Sequence, residues 1–228
     1  MQCRHHPERE AYIALNEKKA EAFKRVKGIL FDLDGTLTCP GALDFPSIKR
    51  EMNCPADQPI LEYLETQSRE HRIRLLKILE RHEKQAAEAS LPNVGAERCL
   101  STLKQEGFLL GILTRNSLSS VCSVLEKFQA VSIMDFSAIV TRHDSLPKPH
   151  PDGVYKAAHQ MGVSASELIM VGDFRFDIIA GNAAGAYTVL VDNGNNPGLV
   201  PGDPEPDSTV KTLEDILDLL NLNHGIGP

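Results

Sequence analysis

Five short apolar runs, at residues 26–31, 109–113, 138–140, 168–171 and 187–191, alternate with segments of helical periodicity at 96–105, 118–128, 153–161 and 177–184. Runs so short and so continuously apolar read as strands buried on both faces. Strands that alternate with helices leave few solutions. The expected fold is α/β: a doubly wound parallel sheet, Rossmann-like, with right-handed crossovers and helices on both faces. In such sheets ligands bind beyond the carboxyl ends of the strands. The residues that follow each run are therefore the candidate site.

After the first run the chain reads Phe31-Asp32-Leu33-Asp34-Gly35-Thr36-Leu37-Thr38. Residues two apart share a face until the chain turns at the glycine, so two carboxylates arrive together at one strand end. They repel unless a cation or a shared proton separates them. An isolated Asp-Gly pair can equally be a turn in which the carboxylates cap backbone amides. The second run closes on Leu113-Thr114-Arg115-Asn116, where a hydroxyl and free amides at a strand-to-helix junction suit an anion. Asn116 or Ser117 can also simply cap the next helix.

Lys148 lies in Leu146-Pro147-Lys148-Pro149-His150-Pro151, where the flanking prolines restrict the chain around a cation. The fourth run ends in Val171-Gly172-Asp173-Phe174-Arg175-Phe176-Asp177. Carboxylates converging from separate loops suit a hard metal such as magnesium, and Asp173 and Asp177 also stand where a helix dipole favours acids. His143 and His150 have no comparable context, and Ser164-Ala165-Ser166-Glu167 reads as a capping box.

In this order the four segments resemble the four motifs of the haloacid dehalogenase-like hydrolases, and the chain is similar to their phosphoglycolate phosphatase-like branch. The resemblance implies a magnesium-dependent phosphohydrolase that cleaves a small phosphate monoester through an aspartyl-phosphate. It makes Asp32 the nucleophile, Asp34 the general acid and base, and Thr114 the phosphoryl-binding hydroxyl. Lys148 orients Asp32, and Arg115 and Asn116 are placed with Thr114 and Lys148 on the substrate side, although Arg115 by itself reads as a solvated or paired residue without a catalytic role. For the metal it implies Asp32, Asp34 through its carbonyl, Asp173 directly, and Asp177 through a water or the lysine. A phosphomutase would share every one of these residues, and a non-catalytic binding protein on the same fold is the reading from another class.

Between the first and second runs, residues 39–91 contain no strand-like stretch and offer helical patterns at 46–52, 59–66 and 69–89. Asp57 is placed to cap the second of these, with Pro59 in its first turn. The segment follows the acidic motif directly, so it is expected to be a small helical cap over a core formed by residues 1–38 and 92–228. Lys49, Arg50, Arg69, His71 and Arg72 could there meet a second anionic group, or be a solvated helix face. At the ends, a helix over 11–26, a long loop over 193–207 and a last helix over 212–220 are expected.

A formal net charge of -7 argues against a nucleic-acid partner. Five scattered cysteines without a C-x-x-C spacing read as reduced thiols of a cytoplasmic protein. No apolar stretch reaches the length of a membrane span, and no apolar signal-peptide core is evident. Oligomeric state and the identity of the ester are not readable from these features.

Overall fold

The apolar runs do pair as strands. The computed structural model describes residues 23–194 and 199–222. In it β1 (Gly28–Phe31), β2 (Leu109–Leu113), β3 (Phe136–Val140), β4 (Leu168–Gly172), β5 (Tyr187–Val191) and β6 (Ser208–Val210) form one parallel sheet ordered β3-β2-β1-β4-β5-β6. All of β1 and β4 is buried, the condition of central strands covered on both faces. Successive residues feed opposite layers: Ile29 and Phe31 join one core cluster with Ile112, Val121 and Val189, while Leu30 joins the other with Val140, Val154 and Met170. Phe31 is in register with both Ile112 and Val171. The strand order reverses between β1 and β4, and a crevice opens there beyond the strand ends.

The helices are α1 (Phe45–Met52), α2 (Ile60–Glu65), α3 (Arg69–Ala89), α4 (Ala96–Gln105), α5 (Leu118–Leu125), α6 (Asp152–Met161), α7 (Arg175–Ala184) and α8 (Asp215–Leu219). The first three carry their own cluster, which includes Ile48, Met52, Ile60, Leu64, Leu75 and Leu79. α3 serves both bodies, since Leu75 and Leu79 belong to that cluster whereas Ala87, further along, belongs to the sheet's core. The chain leaves and re-enters the sheet layer through a narrow neck, with Thr38 bridged to Pro92 and the Cys39 amide bonded to the Leu91 carbonyl.

Several boundaries differ from expectation for local reasons. Asp57 does not cap α2: that helix starts after Pro59, which has an extended ψ of 145° and provides no side-chain cap. The loop expected to run through residue 207 leads at once into β6, a strand too short and polar to register as an apolar run. The last helix shrinks to Asp215–Leu219 because the Asp215 carboxylate accepts the Lys211 and Thr212 amides and delays its start. The capping box forms as read, with the Glu167 carboxylate taking the amide and hydroxyl of Ser164. The leader and most of the expected 11–26 helix lie outside the described residues. Among the described residues no helix is long and apolar enough to cross a membrane.

Candidate active site

β1 ends at Phe31, and the Asp32 amide bonds to the Val171 carbonyl at 2.8 Å, so the Asp32 carboxylate is fixed at the mouth of the crevice. Lys148 reaches it from the loop before α6. Its ammonium, 3 % exposed, donates to Asp32 Oδ1 at 2.5 Å, Asp177 Oδ1 at 2.6 Å and the Leu113 carbonyl at 2.8 Å. All three donors of the lysine are thereby used, and its position is set by the ends of β1 and β2 and by the first turn of α7. Burial works against the Lys148 charge, but Asp177 and Asp32 outweigh it and hold the amine above its usual range.

Leu33–Leu37 is an irregular turn in which Gly35 adopts φ 82°. A Cβ at Gly35 would come within 2.3 Å of Asp173 Oδ2, so both the backbone angle and the close approach require glycine. Gly172 is needed for a related reason, because a side chain there would collide with Asp177. Two asparagines that no sequence pattern singles out clamp this turn. Asn193 Nδ2 donates to the Gly35 carbonyl at 2.7 Å, and Asn93 Nδ2 donates to the Thr36 carbonyl at 2.9 Å. Asn93 stands beside no apolar run that would mark it, whereas Asn193 follows the fifth run by two residues.

Asp34 lies past the strand, inside the turn, and its carboxyl points away from Lys148 toward Asn116, whose Nδ2 donates to Asp34 Oδ2 at 3.1 Å. The Asn116 Oδ1 accepts the Ser117 amide at 2.8 Å, which orients the amide group with its donor end toward Asp34. Burial, and after it the Asp32 charge, push Asp34 up to about 6, against the opposing pull of Asn116 and Lys148. A carboxyl poised near neutrality can both give and take a proton. Thr114 is buried, its Oγ1 accepting the Asn116 amide at 3.0 Å while the hydroxyl proton stays available. The helix cap beyond it is Ser117, through the Ser120 amide.

These residues line a cavity of about 490 Å³ roofed by α1–α3. Arg115 faces it but is committed elsewhere: its guanidinium forms a two-pronged pair with Glu62 of α2 (3.0 and 2.6 Å), bonds the Lys148 carbonyl, and lies 5.1 Å from the Phe176 ring centre. A second link between roof and sheet layer is the ion pair of Glu83 on α3 with Arg142 after β3, each side chain 4 % exposed. Glu83 Oε2 and Arg142 Nε and Nη2 have no partner there, and burial pushes Glu83 up to about 7 despite the arginine. Of the cations on α1–α3, Lys49 lines the cavity and bonds the Ala56 carbonyl at 2.6 Å, while Arg72 pairs with Glu65 and Arg50 with Ser47. Arg69 and His71 do not line the cavity, nor do His143 and His150.

Asp32, Asp173 and Asp177 offer oxygens within 4.8 Å of one another, and these three carboxylates could bind a metal ion. Burial, then Asp32 and Asp177, push Asp173 up to about 8, and Asp177 is raised by burial in spite of Lys148. Asp173 is thus a desolvated carboxylate with no cation partner among the described residues, the deficit a divalent ion would fill. An all-oxygen donor set suits a hard cation. The Asp34 carboxyl stands outside this cluster, turned to Asn116.

Residues 40–191 match the family described as haloacid dehalogenase-like hydrolase; the match begins after Asp32 and Asp34, whose assignment rests on the geometry above. The chain is 30 % identical over 207 residues to an uncharacterized hydrolase of Saccharomyces cerevisiae, covering 89 % of this chain and 95 % of that one. It is 27 % identical over 245 residues to phosphoglycolate phosphatase of Escherichia coli, again covering 89 % and 95 %. A hydrolase from Pseudomonas syringae superposes with a TM-score of 0.70 at 22 % identity, covering 87 % of this chain and all of that one. With a family match over more than half its length and all four motif segments converging on one crevice, the chain belongs to the haloacid dehalogenase-like hydrolase superfamily, in its phosphoglycolate phosphatase-like branch.

Proposed function

We propose that the protein is a magnesium-dependent phosphohydrolase that cleaves a small phosphate monoester through an aspartyl-phosphate on Asp32. The observation that carries this reading is the Asp32–Lys148–Asp177 bridge. It neutralises one oxygen of Asp32, while no described residue donates to the other, which faces the cavity. That oxygen attacks phosphorus and the ester oxygen leaves, splitting one hard step into two. Asp34 protonates the departing alkoxide, then accepts a proton from the water that hydrolyses the intermediate.

The Thr114 hydroxyl and neighbouring amides hold the phosphoryl oxygens. Asn116 acts by holding Asp34, and Arg115 holds the roof and the Lys148 loop. Magnesium would be held by Asp32 and Asp173 with the Asp34 carbonyl, and by Asp177 through a water or by way of Lys148. When bound, it supplies charge neutralisation and in-line alignment. Residues 39–91 form the cap in this reading, and residues 1–38 and 92–228 the catalytic core. The unbridged cysteines support a cytoplasmic setting.

Turnover of p-nitrophenyl phosphate tests the proposal. Activity should disappear in chelator, return with magnesium, and be abolished in a folded Asp32→Asn protein. Full activity in excess chelator, or in Asp32→Asn, refutes it.

A further inference from the structure

The cap half of the cavity has an unusual composition for a site that binds an anionic ester. Its lining includes Leu43, Phe45, Pro59, Ile60, Leu61 and Leu79, and Phe45 is 52 % exposed although it is a large aromatic. Opposite them stand Phe174 and Phe176, packed edge to face at 4.9 Å. An exposed aromatic beside an otherwise apolar wall is surface held ready for a partner.

Three of the four cations that line the cavity are committed to carboxylates. Lys148 is spent on Asp32 and Asp177, Arg115 on Glu62, and Arg175 on Asp203, which its guanidinium grips through two nitrogens. Lys49 bonds the Ala56 carbonyl and shares the wall with Asp57. Glu83, whose partner Arg142 lies outside the lining, adds a further carboxyl group, so acidic side chains outnumber basic ones along the cavity. A second anionic group on the leaving alcohol would have to break one of these ion pairs, or draw Lys49 from the Ala56 carbonyl on a wall that also carries Asp57 and Glu83.

We propose that the ester accepted here is the monophosphate of an uncharged apolar alcohol, aromatic or branched aliphatic, and that the cap wall disfavours a leaving group bearing a second negative charge. The inference rests on the phosphohydrolase reading of the site. The phosphoryl group occupies the Thr114 and Lys148 end, and the alcohol's carbon skeleton lies against Phe45, Ile60 and Leu61.

The test compares the magnesium-loaded protein on benzyl phosphate and 2-phosphoglycolate. Both are primary alkyl esters, so they differ chiefly in the charge and apolarity of the leaving group. The expected kcat/KM favours benzyl phosphate by at least about tenfold, the scale of discrimination a hydrophobic pocket supplies. Phe45→Lys, at an exposed position that the fold tolerates, should shrink that ratio about tenfold. Equal or better turnover of phosphoglycolate, or a ratio untouched by Phe45→Lys, overturns the inference and leaves the phosphatase reading standing. Absence of turnover with these esters and with p-nitrophenyl phosphate removes both.

Discussion

Asn116 Nδ2 lies 3.1 Å from Asp34 Oδ2, and the Oδ1 of the same side chain takes the Ser117 amide at 2.8 Å, so one residue ties the proposed acid to the start of α5. A hydrogen bond to an ionisable group is worth about 1.5–3 kcal/mol. Asn116→Ala should therefore slow turnover roughly ten- to hundredfold. Asn116 donates to the carboxylate and lowers the Asp34 pKa, so its loss should move the alkaline limb of the kcat/KM profile to higher pH. A limb that stays put or moves down would separate Asn116 from the acid.

Protonation matters most for a poor leaving group, because an alkoxide must be protonated as it departs whereas a nitrophenolate is stable alone. Asp34→Asn should slow the rapid-mixing burst with an alkyl phosphate far more than with p-nitrophenyl phosphate. The burst isolates the first step, which matters because the same residue is proposed to activate water in the second. Equal slowing with both esters would leave Asp34 a structural member of the turn.

Asp34, Asp173, Asp177 and Glu83 all titrate above ordinary carboxylates, to about 6, 8, 6 and 7, with burial the first cause in each. Groups whose folded-state pKa is raised bind more protons folded than unfolded. Their stabilisation is present below about pH 4 and is lost as pH rises to about 8. Metal-free protein should therefore show a falling Tm between pH 5 and pH 8. Magnesium held as proposed would compensate the charge at Asp173, so it should raise Tm more at pH 8 than at pH 5. A chelated protein with equal Tm at both pH values would contradict the account of these carboxylates.

The Glu83–Arg142 pair is buried with three orphaned polar atoms, so removing one partner strands a charge in the interior. Arg142→Met or Glu83→Leu alone should cost about 3–5 kcal/mol in urea unfolding, and the double replacement should recover much of it. If the two losses simply add, the charges do not depend on each other.

The alternating runs make the sheet legible in the amino-acid sequence, because a central parallel strand must be apolar on both faces and each crossover must be helical. The four motif segments are legible for the same reason. Each follows directly from a strand or precedes a helix, and its chemistry is written in adjacent letters. Asn93 is not legible, since it acts on a turn far away in sequence and its neighbours do not mark it; Asn193 stands just past the fifth run, but nothing in its own segment shows that it bonds the turn after the first. β6 escapes because three residues at a sheet edge need little apolar character.

Sequence alone determined the class of fold, the strand-end positions of Asp32, Thr114 and Asp173, the placing of Asp34 and Asp177 in the segments that follow β1 and β4, and the proline-stiffened setting of Lys148, all local properties of a periodic chain. Tertiary structure decided which partner each charge took. Arg115 turned to Glu62 of α2, Asn116 to Asp34, Arg142 to Glu83 and Arg175 to Asp203. A charged side chain accepts any complementary group that the fold brings within reach, so its partner depends on how distant elements pack. That packing also placed a largely apolar wall, which includes Phe45, Ile60 and Leu61, along the cavity that Asp32 lines.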